Sequence, residues 1–407
     1  MAIKWKRVEI MVKLMFIHHS GLVGGAGVSL INVIKGLSKK YEIEVCVPPQ
    51  PDDMIKLLKR EQKNYHFNIR TFEKRIGAIT YYSGGDRIRS LRLWYRGALI
   101  VRQWNVWNKR IREIKPDIII VNSKILCWMS MLQEVRKRKS ICFVRETMKG
   151  EKSNWVNRII SKLLLNFGKV IFLSDYDALK EGICPEKTEV IHNYIEESQF
   201  DLSISREEAS EKLGIKKDTF HVLYVGGVSQ MKGFDLAVEA VLKSGENVEL
   251  IVAGNDFEDV LKTRSNKSKR YAEEWKQVLN EKDIGGQIHM VGKQKNMSLC
   301  YAACDVLVFP MRSPHQSRPV FEAGYYMKPV IITDFPNITE FVEDGYNGYI
   351  VCPENKDVIA EKIVLLKENC ELRDRMGKSN KINTEEKHNQ KRSMDLIYGI
   401  IEEISLL

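Results

Sequence analysis

Continuous apolar runs alternate with helix-like stretches along the chain. In the first half, strands are predicted at VEIMVKLMFI, EIEVCVP, PDIIIVNS, SICFVRE, GKVIFLS and TEVIHNYI. In the second half, they are predicted at FHVLYVGG, VELIVAG, QIHMVG, DVLVFP, KPVIIT and GYIV. Strands buried on both faces are apolar throughout, which is typical of parallel sheets covered by helices. The pattern predicts an α/β protein with two doubly wound, Rossmann-like domains in series, and such domains facing each other would form a cleft.

A polar stretch from Glu196 to Asp218 interrupts this pattern, and it contains one short helix signal ending in Leu213-Gly214. We therefore predict a first domain over 1–198, a linker over 199–217 and a second domain over 218–385. A final helix over 386–407 is a candidate to cross back to the first domain. The chain has 407 residues, a length that suits two domains better than one core.

Composition narrows the class of protein. No stretch approaches the roughly 20 apolar residues of a membrane span, and the amino-terminal run reads as a strand rather than a signal peptide. The eight cysteines form no CxxC pair, which is the usage of reduced, buried thiols in a cytosolic protein. No cluster with metal-ligand spacing is present, so we expect no metal. The net charge of +11 favours a polyanionic partner, with anionic lipid, nucleotide phosphates and nucleic acid as the alternatives.

One segment, 86–117, interleaves cations with large aromatic residues. It contains seven arginines and two lysines together with Trp94, Tyr95, Trp104 and Trp107. Aromatic rings suit the headgroup layer and arginines suit anionic lipid, which favours a membrane-surface or acceptor-binding role. The alternative is an ordinary pair of amphipathic helices with a solvated basic face.

A glycine loop follows the first predicted strand and precedes a helix expected over about 30–40. Gly24 and Gly25 belong to this loop, where glycines let a backbone approach a phosphate at a helix N-terminus. The loop lacks the GxGxxG spacing, and no acidic residue ends the second strand, which disfavours a dinucleotide site. A tight turn and a role in lining a cleft are the two remaining interpretations.

A second glycine loop, GGVSQMKG, follows the first strand of the second half. Gly226 and Gly227 give room there, and Lys232 supplies a mobile cation before the next helix. A lysine at such a loop suits a diphosphate, although the spacing is not that of a Walker loop. The alternative is a surface lysine.

The loop after DVLVFP leads into a helix that begins near Arg318-Pro319. Backbone N–H groups of Ser317, Arg318 and Val320 are candidates to hold phosphate oxygens. Glu322 falls about one turn into this helix, where its carboxylate could accept hydrogen bonds from the vicinal hydroxyls of a ribose. The alternative is a glutamate that only complements the helix dipole.

Together these motifs resemble the donor domain of the retaining GT-B glycosyltransferases of the group 1 superfamily (family four). The resemblance spans roughly 170–352 and rests on LYVGGVSQMKGFDLAVEAV, VELIVAG, DVLVFP and SRPVFEAGYYMKPVIITDFPNITEFVEDGYNGYIV in the second half and IFLSDYDALKEG and TEVIHNYI in the first. It implies an acceptor-side first domain and a nucleotide-sugar-binding second domain. It also implies transfer without an enzymic nucleophile, metal or other cofactor, commonly to a polysaccharide or lipid-linked glycan.

The resemblance implies roles for single residues. Lys232 would bind the donor diphosphate with the backbone near Ser317 and Arg318, and Glu322 would bind the ribose. The loop containing Gly24 and Gly25 would face the donor, the loop containing Gly226 and Gly227 would line its site, and Glu340 would lie near the nucleotide pocket.

Three positions depart from the family pattern. Gly227 stands where the family usually has an arginine, so one diphosphate cation is missing, and Arg318 is a candidate to compensate. Pro314 replaces the first glutamate of the paired motif, and His315 is the candidate substitute. Arg145 stands where a histidine is common, and it would bring a cation to the sugar or the leaving diphosphate.

These departures keep alternatives open. The chain could be a catalytically impaired partner of another transferase or an epimerase-like enzyme acting on sugar nucleotides. A nucleic-acid-binding protein is disfavoured, because no RRM, KH or helix-turn-helix signature accompanies the charge. The favoured hypothesis is a cytoplasmic glycosyltransferase, at the inner face of the membrane, that uses a nucleoside-diphosphate sugar.

Overall fold

A computed structural model describes residues 11–72, 76–79, 91–147, 155–262, 265–281, 286–294, 296–314 and 316–406, with the backbone alone at 91–93. The chain divides into two compact units. Met1–Asn193 and Lys391–Leu407 form the first, and Tyr194–Gln390 form the second. No helix in these described ranges is long and apolar enough to cross a membrane.

The first unit is built on a parallel sheet in the order β3-β2-β1-β4-β5-β6-β7. Its strands are β1 (Lys13–Ile17), β2 (Glu42–Val47), β3 (Asn68–Thr71), β4 (Ile118–Val121), β5 (Lys139–Val144), β6 (Lys169–Phe172) and β7 (Thr188–Val190). The helices are α1 (Gly25–Leu37), α2 (Asp53–Glu61), α3 (Leu91–Ile114), α4 (Gln133–Arg136), α5 (Trp155–Leu164) and α6 (Asp175–Glu181), with 3₁₀ turns at Lys124–Met131 and Pro185–Lys187.

The second unit has a parallel sheet in the order β10-β9-β8-β11-β12-β13. Its strands are β8 (Phe220–Val225), β9 (Val248–Ala253), β10 (Ile288–Gly292), β11 (Val306–Phe309), β12 (Val330–Thr333) and β13 (Gly348–Val351). The helices are α7 (Arg206–Leu213), α8 (Phe234–Lys243), α9 (Phe257–Leu261), α10 (Asn266–Glu281), α11 (Ser298–Ala303), α12 (Arg318–Tyr325), α13 (Lys356–Glu368) and α14 (Cys370–Lys387), with 3₁₀ turns at Glu197–Gln199 and Ile338–Glu340.

These sheets confirm the predicted α/β fold with two doubly wound domains. Apolar side chains cover both faces of the second sheet in two clusters, which is why its strands read as continuous apolar runs. Strand β3 was not predicted, because it lies at the edge of its sheet and is mostly exposed, so its sequence NIRT carries no apolar run.

Two helices differ from what the sequence suggested, one in where it begins and one in being a single helix. Helix α1 begins at Gly25, directly in the glycine loop, rather than near Leu30. The first turn of a helix makes no intrahelical N–H bonds, so glycines at its start cost little. The segment 86–117 forms one long helix, α3, over its described part, rather than a pair.

The stretch 199–217, predicted as a linker, lies inside the second unit. Ser205 caps α7 by accepting a hydrogen bond from the backbone N–H of Glu208, and Arg206 forms an ion pair with Asp305. Ala209, on the same helix, is fully buried in the core. The predicted helix signal ending in Leu213-Gly214 is therefore a short helix, α7, whose buried positions join the core of the second unit.

The carboxyl-terminal helix α15 (Gln390–Leu406) lies almost wholly in the first unit. The Tyr398 hydroxyl donates a 2.6 Å hydrogen bond to the carbonyl oxygen of Gly36 on α1. Lys139 donates to the carbonyl oxygen of Ser405 at 2.6 Å, and Lys169 pairs with Glu403 at 3.1 Å. The last helix thus completes a unit whose other elements come from the first half of the chain.

The strand order reverses once in each sheet, between β1 and β4 and between β8 and β11. Ligands on doubly wound sheets bind beyond the carboxyl ends of the strands at such a reversal, because the connecting loops diverge there. The loops after these four strands are therefore the places to examine.

Candidate functional site

The loop after β8 folds closely against the end of β9. The backbone N–H groups of Gly226 and Gly227 both donate to the carbonyl oxygen of Ala253, at 2.9 and 3.0 Å. Gly227 has φ +60°, and a Cβ there would lie 2.4 Å from backbone atoms of Asn255. Position 227 therefore admits only glycine in this conformation, which explains in physical terms why no arginine stands there.

Lys232 lies in the same loop, just before α8. The residue as a whole is exposed, yet desolvation around its ammonium group lowers its pKa. Within the described part of the chain, the ammonium makes neither a hydrogen bond nor an ion pair. Binding of an anion to such a desolvated ammonium is favourable, because no existing ion pair with a carboxylate has to be broken first.

Arg312 ties this loop to the one after β11, and sequence analysis did not single it out. Its guanidinium donates to both carboxylate oxygens of Asp235, at 2.7 and 2.6 Å, and to the carbonyl oxygen of Gln230 at 2.6 Å. Glu354 accepts two further hydrogen bonds from it. Arg312 therefore has a structural role, and its bond to Gln230 fixes the backbone two residues before Lys232.

Helix α12 begins at Arg318, as predicted, and Ser317 immediately before it is 1% exposed. One detail of the predicted phosphate contact is wrong. The N–H of Val320 donates to the carbonyl oxygen of Ser317 at 2.9 Å, so it is already used in the first turn.

Glu322 is 8% exposed and lies one turn into α12. The hydroxyl of Tyr301 donates a 2.8 Å hydrogen bond to its Oε2, and Arg318 approaches its Oε1 at 3.6 Å. Desolvation raises the pKa of Glu322, while Arg318 and Tyr301 act in the opposite direction. The hydrogen bond from Tyr301 fixes the orientation of the buried Glu322 carboxylate, and recognition of a pair of hydroxyls requires a fixed orientation.

Two weaker candidates lie near this region in sequence. Glu340 ends a 3₁₀ turn, and its carbonyl oxygen accepts a hydrogen bond from Lys387 at 2.8 Å. His315 lies outside the described residues. The structure thus brings Gly226, Gly227 and Lys232 together in the loop after β8, and Ser317, Arg318 and Glu322 together after β11.

The first unit carries the other candidates. Gly24 and Gly25 are exposed at the start of α1, where a Cβ would meet no atom within 4 Å. Arg145 directly follows β5 and is 8% exposed. Its Nε donates to Oδ1 of Asn122 at 3.0 Å, and its guanidinium lies 4.4 Å from the centre of the Phe143 ring.

Sequence analysis missed the residues that hold these candidates. Asn122 follows β4 and His18 follows β1, and both are buried. Burial lowers the pKa of His18 well below its usual range, with smaller contributions from His19 and Arg145. The available signal was a polar residue directly after each continuous apolar strand, which marks the carboxyl edge of a buried sheet.

Two family models match the chain over most of its length. The model "Glycosyl transferases group 1" matches residues 205–382, and "Glycosyltransferase Family 4" matches residues 23–199. The first model covers α7 to α13 and the first part of α14, with Lys232 and Glu322. The second covers the glycine loop, Asn122 and Arg145.

Individual relatives agree with these models. An uncharacterized glycosyltransferase of Methanocaldococcus jannaschii is 27% identical over 197 residues, which are 45% of this chain and 47% of the relative. The alpha-D-kanosaminyltransferase of Streptomyces kanamyceticus is 23% identical over 221 residues, 52% and 54% of the two chains. The matched stretches thus span about half the length of these curated relatives.

A solved structure extends the likeness to the whole fold. HepE of Anabaena, in complex with UDP and glucose, has a TM-score of 0.75 and 17% identity, with 96% of this chain and 100% of that chain covered. The two sheets, their strand orders and the two matched models lead to one conclusion: this chain belongs to the group 1 glycosyltransferases, with the GT-B fold.

Proposed function

We propose that this protein transfers a sugar, with retention, from a nucleoside-diphosphate sugar to a glycan or lipid-linked acceptor in cell-surface polysaccharide synthesis. The observation that carries this proposal is that the Lys232 loop and Glu322 follow β8 and β11, the two neighbouring strands at which the order of the second sheet reverses. A fixed buried carboxylate suits a ribose, and an ammonium without an acidic partner among the described residues suits a diphosphate. HepE, of the same fold, is bound to UDP and glucose.

The chemistry assigned to these residues is stabilisation of the leaving group. One further negative charge develops on the nucleoside diphosphate as the bond to the sugar breaks, and Lys232 would neutralise part of it. The amino-terminal end of α12, at Ser317 and Arg318, would supply further positive potential. Arg145 would bring a second cation to the reacting groups.

A second candidate function follows from the departures at Gly227 and Pro314. A group 1 protein with fewer donor contacts could act as an impaired partner subunit or as an epimerase-like enzyme. Both alternatives keep nucleotide binding, so only turnover separates them from a transferase.

The first experiment measures the melting temperature with UDP, GDP, dTDP, ADP and their common sugars, because a ligand of the folded state raises it. One nucleoside diphosphate should raise it clearly, and Glu322→Gln should abolish the rise without changing the melting temperature of the free protein much. Glu361→Gln, on the exposed face of α13, is the matched control and should respond like the wild type. An unchanged response in Glu322→Gln would remove the ribose assignment.

Turnover is measured next, as release of the nucleoside diphosphate from the donor that binds. Release that depends on an acceptor, with the α configuration of an α-linked donor kept in the product, would support a retaining transferase. Activity should survive a chelator, because the proposal assigns the leaving-group charge to Lys232, Arg145 and a helix terminus rather than to a metal. Binding without release would favour the impaired-partner function.

The exposed face of α3 supports an acceptor on an anionic membrane, at the cytoplasmic face. Trp94 is 70% exposed and Val101 is 75% exposed, and Arg102, Lys109 and Arg112 are exposed on the same helix. Rings and aliphatic groups of this kind enter the headgroup layer while the cations meet anionic lipid.

Vesicle flotation tests this surface. Replacing Arg102, Lys109 and Arg112 by glutamine should weaken binding to vesicles rich in phosphatidylglycerol and leave nucleotide binding unchanged. Replacing Lys267, Lys269 and Arg270 of α10 removes the same charge elsewhere and should have little effect. Equal losses in the two triple variants would mean that only the net charge matters, and no loss in either would return α3 to an ordinary solvated helix.

A further inference from the structure

Asn122 lies at the strand reversal of the first sheet, directly after β4, and is fully buried. Its side-chain amide reaches three different parts of the unit. Oδ1 accepts a hydrogen bond from Arg145 Nε at 3.0 Å, beyond β5. Nδ2 lies 3.1 Å from Nδ1 of His18, beyond β1, and 3.1 Å from the carbonyl oxygen of Ala26, in the first turn of α1.

The chemistry of these neighbours fixes the orientation of the amide. A guanidinium only donates hydrogen bonds and a backbone carbonyl only accepts them. The oxygen of the amide must therefore face Arg145, and its NH₂ group must face Ala26 and His18. Because both amide hydrogens are donated, Nδ1 of His18 is an acceptor and the neutral ring carries its proton on Nε2.

We propose that Asn122 is a positioning residue, whose amide locks the Arg145 guanidinium to the first turn of α1 and so fixes the cation used in sugar transfer. This inference rests on the proposed function only for the role of Arg145. The locking itself depends only on the three hydrogen bonds of the Asn122 amide. Asn193 adds a weaker hold, since its Oδ1 lies 3.5 Å from Arg145 Nη1 and accepts from Ser29 at 2.7 Å.

Neither aspartate nor alanine at position 122 would satisfy all three neighbours of the amide. Aspartate keeps an acceptor for Arg145 but offers no hydrogen to Ala26, and His18 would have to move its proton to Nδ1. Alanine removes all three contacts and leaves Arg145 Nε without this partner. The pair Asn122→Asp and Asn122→Ala therefore separates the hold on Arg145 from the hold on α1.

The locking is tested by NMR on the full chain labelled with ¹⁵N-arginine and ¹⁵N-histidine. The Arg145 Nε–H signal, assigned by its absence in Arg145→Lys, should exchange slowly in the wild type and in Asn122→Asp. It should exchange fast in Asn122→Ala. The His18 shifts should show the Nε2–H form in the wild type and the Nδ1–H form in Asn122→Asp. Fast exchange in the wild type, or slow exchange in Asn122→Ala, would overturn the proposal.

The consequence for catalysis is tested by a double-mutant cycle on release of the nucleoside diphosphate. Asn122→Ala should lower kcat about tenfold or more in the wild-type background, and by less than about twofold in Arg145→Ala, because coupled residues are not additive. The KM for the donor should stay unchanged in both backgrounds. Asn166→Ala, an exposed asparagine of the same unit, should leave kcat unchanged. The same loss in both backgrounds would assign Asn122 to general stability and overturn its positioning role.

The two arms fail independently. Slow Arg145 exchange that depends on Asn122, in a protein that releases no nucleoside diphosphate from any donor, would reject the proposed function and keep the locking. Turnover in which Asn122→Ala lowers kcat by the same factor in the wild-type and Arg145→Ala backgrounds would keep the proposed function and reject the positioning role. If Asn122→Ala does not fold, Asn122→Asp takes its place in the cycle. Because the aspartate retains the acceptor for Arg145 Nε, it should leave kcat unchanged in both the wild-type and the Arg145→Ala background.

Discussion

At Lys232, burial and ligand binding act on the same proton in opposite directions. Desolvation lowers the pKa of its ammonium from the ordinary value of 10.5, so the charged form carries a free-energy cost in the unliganded protein. A bound diphosphate would offset that cost and raise the pKa again. The unfolded chain keeps this proton to higher pH than the folded chain does. Stability at this position therefore increases as the pH rises through the lowered pKa towards 10.5.

Nucleoside-diphosphate affinity should follow the opposite course. Affinity is highest where Lys232 is charged and falls as the pH rises through its lowered pKa, before 10.5 is reached. Calorimetric titrations over this range should show the fall in the wild type. They should show a flatter curve in Lys232→Arg, because a guanidinium stays charged there. A wild-type affinity that does not change over the range would exclude Lys232 from the diphosphate contact.

Restoring the family's arginine at position 227 should not restore a diphosphate cation. The left-handed backbone alone costs a non-glycine residue about 1–3 kcal/mol, and the new Cβ would also press on Asn255. Gly227→Arg should therefore lower the free energy of unfolding in urea and weaken nucleotide binding. Gly245→Arg is the control, since Gly245 has φ +100° with open space around it, and it should show the backbone cost without the loss of binding. Tighter binding in Gly227→Arg would contradict the account.

At the scale of elements, the contact of α12 with α14 sets where Glu322 lies. A Cβ on Gly324 would fall 2.1 Å from Oγ1 of Thr384 and 2.7 Å from the carbonyl oxygen of Asn380. Asn380 in turn donates to the carbonyl oxygen of Lys328 at 2.8 Å, just beyond α12. The close approach of two helix backbones thus fixes the helix that carries the carboxylate.

Gly324→Ala should therefore affect stability and binding together. Overpacking at this contact should cost about 1–3 kcal/mol of unfolding free energy, and the shift of α12 should weaken nucleoside-diphosphate binding. Gly399→Ala on α15, where a Cβ meets nothing within 4 Å, should instead stabilise by about 0.5–1 kcal/mol and leave binding unchanged. Denaturant titrations and binding isotherms of the two variants decide the point. A Gly324→Ala protein with wild-type affinity would show that α12 does not need this contact.

The elements that sequence analysis predicted are those whose pattern is local. Buried strands are visible in the sequence as apolar runs, and the glycine loops and Glu322 follow these runs within a short stretch of sequence. Partners distant in sequence were missed, because no local pattern encodes them. Tyr301 meets Glu322 across 21 positions, and Asn122 meets His18 across 104. Helix α7 was predicted by its helix signal ending in Leu213-Gly214, but its place in the second unit was not, because its buried residues contact parts of that unit's core that are distant in sequence.

At the scale of the whole molecule, the two units differ in how the chain builds them. The second unit is one continuous stretch, Tyr194–Gln390, and it contains both apolar clusters that cover its sheet. The first unit needs α15 from the far end of the chain, where Tyr398 bonds to Gly36 and Ile397, Ile401 and Ile404 are buried. Removing the carboxyl-terminal residues should therefore damage the first unit rather than the second.

A fragment of residues 194–390 should fold cooperatively and bind the nucleoside diphosphate with a Kd close to that of the full chain, because Lys232, Ser317 and Glu322 all lie within it. A fragment ending at residue 193 should be markedly less stable than the same unit in the full chain, since the isoleucines of α15 would no longer cover it and its Gly36 carbonyl would lose its hydrogen bond. Adding the peptide 391–407 in trans should recover part of that stability. Circular dichroism and calorimetry of the fragments measure both effects. A folded 194–390 fragment that does not bind, beside a full chain that does, would mean that nucleotide recognition depends on the first unit as well.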